Sequence, residues 1–278
     1  MSETALITPS LTFVETELHF IVDDGEKPVM YVDWPEEAHK AHPATYIAHR
    51  CRIADGRPMA SAFTLPDFGF SFHHEPSQVK NFYDPEEIKN VYDREVANII
   101  KRETGASRVI VFDHTFRTAN DAVREANSTR APVKAAHNDY TETSARQRLR
   151  DIVPEDEARR LSEKRFAIVQ TWRPINHPVE TEPFALCDGR TIPVSGFVPL
   201  ERRYKFRTAE TYHLCYSEGL EWYYFPKMAP EEVLVFKVFD TDKNQGIPFT
   251  AHTAFDDPTS PVDARPRESV ESRALVFF

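Results

Sequence analysis

From Arg267 to Phe277 the chain, RESVESRALVF, has a period of two, and that pattern suits a β-strand and little else. Arg267, Ser269, Glu271, Arg273, Leu275 and Phe277 fall on one face of this strand, because alternate residues of an extended chain point the same way. The face begins polar and ends apolar. A plain globular core would not set two arginines and a glutamate on its inner surface, so a polar or anionic group is expected to lie against it.

Strand-like runs dominate the second half: Phe166–Trp172, Thr191–Leu200, Glu210–Tyr216, Trp222–Phe225, Val233–Phe239, Phe249–Ala254 and Ser269–Phe277. Short strands separated by turn residues predict a β-sandwich or barrel with helices packed outside. Upstream, Leu11–Val14, His19–Val22, Met30–Val32, Tyr46–Ile53 and Phe68–Phe72 read as further strands in a proline-punctuated segment. Asp84 and Pro85 predict a helix start, with Glu86 and Glu87 at the positive end of its dipole. Ile88, Val91, Val96, Ile99 and Ile100 form its apolar stripe, and Gly105 caps its end. Ser107–Phe112 reads as a buried strand, residues 118–136 as a polar loop leading to His137, and residues 144–164 as helix broken at Pro154. With no repeat and no linker, residues 1–278 are expected to form one domain.

Composition removes several function classes. Dinucleotide and phosphate loops need closely spaced glycines, and the 8 glycines here form no such motif. A net charge of −10 with no basic stripe argues against a nucleic-acid partner. Cys51, Cys187 and Cys215 are too sparse for a disulfide framework or zinc site, which predicts reduced thiols and a cytoplasmic location. The acidic start of the chain does not resemble a signal peptide, and no apolar run approaches the roughly 18 residues of a membrane span. The 20 phenylalanines suit a sheet-rich core or an aromatic-lined pocket.

Two imidazoles and one carboxylate can hold one face of an octahedral ferrous ion and leave the other open for co-substrate and O2. His137-Asn138-Asp139 places His137 and Asp139 on one side of an extended chain, and His252 is a distant third donor. With 11 histidines, roughly one H-x-D triplet is expected by chance, so the triplet alone could be a solvated His–Asp pair. R-x-S is equally weak, since Arg160-Leu161-Ser162 matches it too. The order carries more weight: H-x-D, then a distal histidine in the penultimate strand, then Arg267-Glu268-Ser269 opening the last one.

Long blocks of the sequence resemble a known family. TGASRVIVFDHTFR (104–117), HNDYTETSARQRL (137–149), QTWRPINHPVETEPFALCD (170–188), WYYFPKMAPEEVLVFKVFD (222–240) and the segment from 252 to 277 are similar to the asaB-type hydroxylase/desaturases. These are Fe(II)/2-oxoglutarate-dependent oxygenases of secondary metabolism, grouped with gibberellin desaturase, the cephamycin 7α-methoxylation component and aziridine-forming oxygenases. The resemblance implies a mainly β fold with peripheral helices, the double-stranded β-helix (a cupin-like jelly roll). Residues 1–104 would supply outer strands and a helix, and residues 105–278 the barrel core.

It also implies Fe(II), 2-oxoglutarate and O2 as cofactor and co-substrates. His137, Asp139 and His252 would be the catalytic metal ligands, and Arg267 and Ser269 would hold the 2-oxoglutarate carboxylate, with Arg273 as the rival arginine. The implied reaction is oxidation of an unactivated C–H of a small secondary-metabolite precursor by hydroxylation, desaturation or ring closure, with succinate and CO2 released. Arg117, Trp172, Arg173, Trp222, Leu275 and Phe277 are the candidate substrate contacts. For Trp172, Trp222, Leu275 and Phe277 core packing is the plainer role, and for Arg117 an exposed ion pair stands level with binding an anionic group. His114, His177 and His213 are spare imidazoles, and His73-His74-Glu75 reads as surface loop. A homodimer or a companion biosynthetic enzyme would be the macromolecular partner. The competing expectation is a catalytically silent jelly-roll binding or accessory protein, distinguished by its failure to make succinate.

Overall fold

A computed structural model describes residues 11–244 and 246–278. The first ten residues, where the acidic start of the chain lies, fall outside the described residues. In chain order the first strands are β1 (Phe13–Ile21), β2 (Val29–Tyr31), β3 (Tyr46–Asp55), β4 (Phe70–His74), β5 (Arg108–Thr118), β6 (His137–Asn138) and β7 (Phe166–Pro174). They are followed by β8 (Phe184–Cys187), β9 (Phe197–Arg203), β10 (Thr208–Leu214), β11 (Trp222–Tyr224), β12 (Glu232–Asp240), β13 (His252–Ala254) and β14 (Glu268–Phe277). They form a long sheet, ordered β1-β3-β11-β8-β13-β6-β10-β9-β2, and a short sheet, ordered β4-β12-β7-β14-β5. An apolar cluster that includes Phe70, Phe166, Ile168, Trp172, Phe184, Leu234, Phe236, Leu275 and Phe277 fills the space between them. The architecture is the mainly β jelly roll with peripheral helices.

Strand β7 shows why the short sheet is two-sided. Every residue of FAIVQTWRP is buried, as expected of a central strand covered on both faces. Phe166, Ile168 and Trp172 join the cluster between the sheets, whereas Ala167 and Val169 pack on the opposite face with Tyr92, Val96, Ile99 and Ile100. That second layer is the helical segment made of α1 (Pro85–Glu87), a π-helical turn at Ile88–Tyr92, and α2 (Asp93–Thr104). Its start follows from the sequence. Pro85 occupies the first turn, and the Asp84 side chain accepts a hydrogen bond from the Glu86 amide. Gly105 ends it with φ 68°, the left-handed conformation that a glycine adopts without a Cβ clash. A third cluster, including Leu18, Phe20, Ile53, Cys187, Trp222 and Phe255, lies on the other face of the long sheet and includes side chains of its strands β1 and β3.

Several local expectations are corrected. The polar stretch 118–136 contains helix α3 (Asp121–Asn127), whose N-cap Asn120 accepts from the Val123 amide. His73 and His74 end strand β4 and do not lie in a loop, and His73 Nε2 is 2.9 Å from Glu103. The two short runs at the N-terminus are one strand, β1, and Thr191 closes a 3-10 turn before β9 begins at Phe197. The predicted break at Pro154 is present, between α4 (Glu142–Ile152) and α5 (Glu155–Ser162). For the core, Leu234→Ala is expected to cost about 2–5 kcal/mol, because it opens a cavity between the sheets that the neighbours only partly refill. Chemical denaturation should show this as a lower midpoint at unchanged slope.

Candidate metal centre

Two strands bring the donors together. His252 on β13 pairs directly with His137 on β6, so both imidazoles face the same way, and Asp139 follows two residues after His137. One donor atom from each of His137, Asp139 and His252 lies within 4.8 Å of the others, a group that can hold a metal ion. Asp139 Oδ1 is 3.3 Å from His137 Nε2 and 3.7 Å from His252 Nε2.

The surroundings point each donor inward. His137 Nδ1 lies 2.8 Å from the Ala135 carbonyl, which as hydrogen-bond acceptor fixes the tautomer that leaves Nε2 free for a metal. Packing holds the His252 ring, between Phe184 at 5.2 Å and Phe236 at 5.1 Å. Burial pushes its pKa down to about 3, so it stands as the neutral imidazole that metals bind. The far oxygen of Asp139, Oδ2, accepts from Gln170 Nε2 (2.6 Å) and Arg273 Nε (2.8 Å). Only Oδ1 is left to face the histidines. Burial opposes ionisation of Asp139, yet the Arg273 guanidinium and the hydrogen bond with His137 hold its carboxyl well below the usual range.

Behind Asp139 runs a buried series of alternating charges. Arg273 also contacts Glu271 (3.0 Å), Asp113 (2.8 Å) and Thr115 (2.8 Å), and Glu271 pairs with Arg117 at 2.7 Å. Burial alone would lower the Arg273 pKa, but Asp139, Glu271 and Asp113 raise it. Breaking such a buried pair leaves a charge uncompensated. Arg273→Met is therefore expected to destabilise the protein by about 3–5 kcal/mol and to weaken metal binding by roughly 10–100-fold. Thermal unfolding and Mn(II) titration would check the two effects separately.

Ser269 lies further along the same face of β14 and Arg267 immediately precedes the strand, and their hydrogen-bonding capacity is largely unused. Arg267 is 1% exposed, and its side-chain hydrogen bond goes from Nη1 to the Glu182 carbonyl. Burial pushes its pKa down to about 10. Arg267 Nε, Ser269 Oγ and Trp172 Nε1 are buried without a partner. Trp172 links this corner to the metal ligands, with its ring 5.5 Å from the Arg267 guanidinium and stacked at 4.9 Å on Phe184, which stacks on His252. Buried donors without acceptors are rare in folded proteins, and this set fits an incoming carboxylate.

The remaining candidates divide by strand parity. Trp172 faces the space between the sheets. Arg173, one residue on, faces the helix layer, where Nη1 donates to the Glu75 carbonyl (3.0 Å) and the guanidinium sits over Tyr92. The structure does not bring Arg173 to the site. Nor does it bring Trp222, which is buried with Phe20 and Ile53 in the cluster behind the long sheet. Leu275 and Phe277 are core between the sheets. Arg117 lines the cavity over the triad, but its fork is occupied by Glu271 and the Ala131 carbonyl.

His114 is bonded to Ser272 and Asp93, and His177 lies 3.6 Å from Glu268. His213 pairs across from His137 but bonds Tyr46, so none of the three joins the donor group. Gln170 is the contact that sequence reasoning missed. Its signal was a lone amide in an apolar strand, two residues before Trp172 and therefore on the same face.

A cavity of about 1040 Å³ opens from His137, Asp139 and Arg273 outward. Phe112, Tyr140, Arg148, Arg202, Phe206 and Thr211 are among its walls.

Over residues 12–277 the chain matches a family described as an oxidoreductase/YMDC permease-like domain. No helix among the described residues is long and apolar enough to cross a membrane. The chain is 32% identical to the Fe(II)/2-oxoglutarate-dependent dioxygenase nvfI of Aspergillus novofumigatus, over 96% of this chain and 98% of that protein. It is 30% identical to the hydroxylase/desaturase efuI of Hormonema carpetanum, over 81% of this chain and 82% of that one. Among solved structures it superposes on the iron and alpha-ketoglutarate-dependent endoperoxidase NvfI with a TM-score of 0.85 and 30% identity, over 96% and 98% of the two chains.

Proposed function

This chain belongs to the oxidoreductase family of Fe(II)/2-oxoglutarate-dependent oxygenases that includes the fungal hydroxylase/desaturases, and from that premise we propose how its residues divide the work. The protein is a dioxygenase that oxidises a small secondary-metabolite precursor, with 2-oxoglutarate converted to succinate. The observation that carries this reading is the buried group of two imidazoles and one carboxylate oxygen, each aimed by a neighbour. When bound, Fe(II) with 2-oxoglutarate and O2 supplies the oxidative decarboxylation and the removal of hydrogen from an unactivated C–H.

The protein's part is to bind, orient and keep dry. His137, Asp139 and His252 would hold one side of the ion. Arg273 and Gln170 keep Asp139 to a single inward oxygen and leave room on the open side. Arg267 and Ser269 would take the distal carboxylate of 2-oxoglutarate, since the planar guanidinium fork grips a carboxylate with charge-assisted hydrogen bonds. Arg273 is the poorer candidate for that role, because Asp139, Asp113, Thr115 and Glu271 already occupy its donors. Phe184 and Phe236 flank His252 and exclude water on that side.

Residues 1–278 act as one oxygenase unit, a reading supported by a core between the sheets that draws side chains from Phe63 to Phe277. Cys51, Cys187 and Cys215 are free thiols, which fits a reducing cytoplasm. All the groups assigned to metal and co-substrate come from one chain, so a homodimer or companion enzyme would serve substrate delivery and not completion of the site.

The test is succinate formation by the purified protein with 2-oxoglutarate, Fe(II), ascorbate and air. Succinate is expected to appear, to stop when a chelator removes the metal, and to return on adding Fe(II). A protein that neither binds Fe(II) nor consumes 2-oxoglutarate with a broad substrate panel would overturn the oxygenase reading.

A further inference from the structure

Arg202 stands on the wall of the cavity, and among the described residues no carboxylate lies against it. The register pairs His213 with His137 and Ala209 with Arg202. Alternation along β10 places Ala209, Thr211 and His213 on one face. Arg202 therefore shares the face of His137 and lies four residues farther along the strand, roughly 13 Å at the usual rise. It is half-buried and lines the cavity.

The nearby acids are already engaged. Glu201 and Glu210 line the cavity as well, but both are held by cations, Glu201 by Lys27 and Arg203 and Glu210 by Lys27. Between Arg202 and His213 on the same wall, Thr211 Oγ1 is a buried hydroxyl without a partner. Arg130 and Arg207 open on the same cavity, and among the described residues neither has a carboxylate partner. Phe206, at the tip of the β9–β10 hairpin, adds a 92% exposed apolar ring at the rim.

In a chain with ten more acidic than basic residues, arginines left unpaired at one opening call for an explanation. Elsewhere Arg57, Arg165 and Arg190 each close on a carboxylate, and among the described residues Arg94, Arg150 and Arg160, which do not, are exposed, whereas Arg202 is half-buried. A half-buried guanidinium without a counter-ion loses hydration that a bound anion would restore, and its fork suits a planar carboxylate or a sulfonate.

The geometry points to an organic anion as the substrate class. Its carboxylate docks on Arg202 and Thr211, its apolar body lies under Phe206, and its reacting carbon reaches inward to the triad. The fate of that molecule rests on the oxygenase reading above, whereas its docking does not.

A matched pair of fluorescent probes tests this. 8-Anilinonaphthalene-1-sulfonate carries an apolar body and one anionic group, and N-phenyl-1-naphthylamine is the same body without the charge. With Mn(II) and 2-oxoglutarate saturating, so that the Arg267 corner is filled, the sulfonate is expected to bind roughly tenfold tighter than the amine. Its affinity should fall as salt rises. Arg202→Gln is expected to remove that advantage and leave the neutral probe within about twofold, which also reports that the variant is folded.

Equal binding of the two probes, or a sulfonate advantage that survives Arg202→Gln, would overturn the anion site. A sulfonate advantage removed by Arg267→Gln would also overturn it, by placing the probe at Arg267. Succinate formation measured on the same preparations separates the two readings. Arg202-dependent sulfonate binding without turnover keeps the anion site and removes the oxygenase. Turnover with no preference for the sulfonate does the reverse.

Discussion

Replacing His137 with alanine is expected to lower succinate formation from 2-oxoglutarate by at least roughly a thousandfold, and to lower Fe(II) binding with it. A catalytic metal contributes several kcal/mol to the reaction it promotes, and each 1.36 kcal/mol is about tenfold in rate. Removing one of three donors leaves Asp139 and His252 too few to hold the ion. His137 is the donor to remove because its role is separable from the core. It sits in a two-residue strand, and its Nδ1 contact is to a backbone carbonyl two residues away. The variant should therefore keep its circular dichroism spectrum while losing metal binding, as read by Mn(II) titration. A folded His137→Ala protein that still turns over 2-oxoglutarate would remove the triad from the mechanism.

Arg267→Gln is expected to weaken 2-oxoglutarate binding by roughly 10²–10⁴-fold while leaving metal affinity unchanged. The estimate assumes two charge-assisted hydrogen bonds lost, at about 1.5–3 kcal/mol each, converted at about 1.4 kcal/mol per factor of ten. Isothermal titration with Mn(II) in place of Fe(II) would read both constants. Arg273→Gln should give the opposite pattern, with weaker metal binding and little change in 2-oxoglutarate affinity at saturating metal, because its donors serve Asp139. A variant pair that reversed these patterns would make Arg273 the co-substrate arginine.

The Arg267 assignment also has a pH signature. Burial pushes its pKa down to about 10, so it is charged at neutral pH and loses its proton as pH rises through that value. A carboxylate bound to it adds counter-charge and delays the loss. Affinity for 2-oxoglutarate is therefore expected to be flat near neutrality and to fall at alkaline pH, a fall absent from Arg267→Gln.

Much of the centre was legible in the sequence because it is written in short-range periodicity. His137 and Asp139 share a side because they are two residues apart, and the polar-to-apolar face of β14 is visible in every second residue from Arg267. The helix limits at Asp84, Pro85 and Gly105 were equally local, since caps and a left-handed glycine depend on a few neighbouring backbone groups. The aromatic run Trp222–Phe225 shows where this reasoning ends. Alternation separates Trp222 from Tyr223, but it does not say which of them looks toward the other sheet. The answer comes from β11 pairing with β3 and β8, and from β1 folding behind them.

By itself, the sequence determined a chain of short strands, the alternation of side chains along them, and the three donors able to hold a ferrous ion. Tertiary structure alone decided which faces meet. It turned Trp172 inward and Arg173 toward the helix, drew Gln170 to Asp139, and committed Arg273 to the metal ligand while leaving Arg267 and Arg202 without carboxylate partners among the described residues. The physical reason is range. Side-chain alternation is set by neighbouring peptide units, whereas the inward direction is set by hydrogen bonding between strands more than a hundred residues apart, such as β6 and β13.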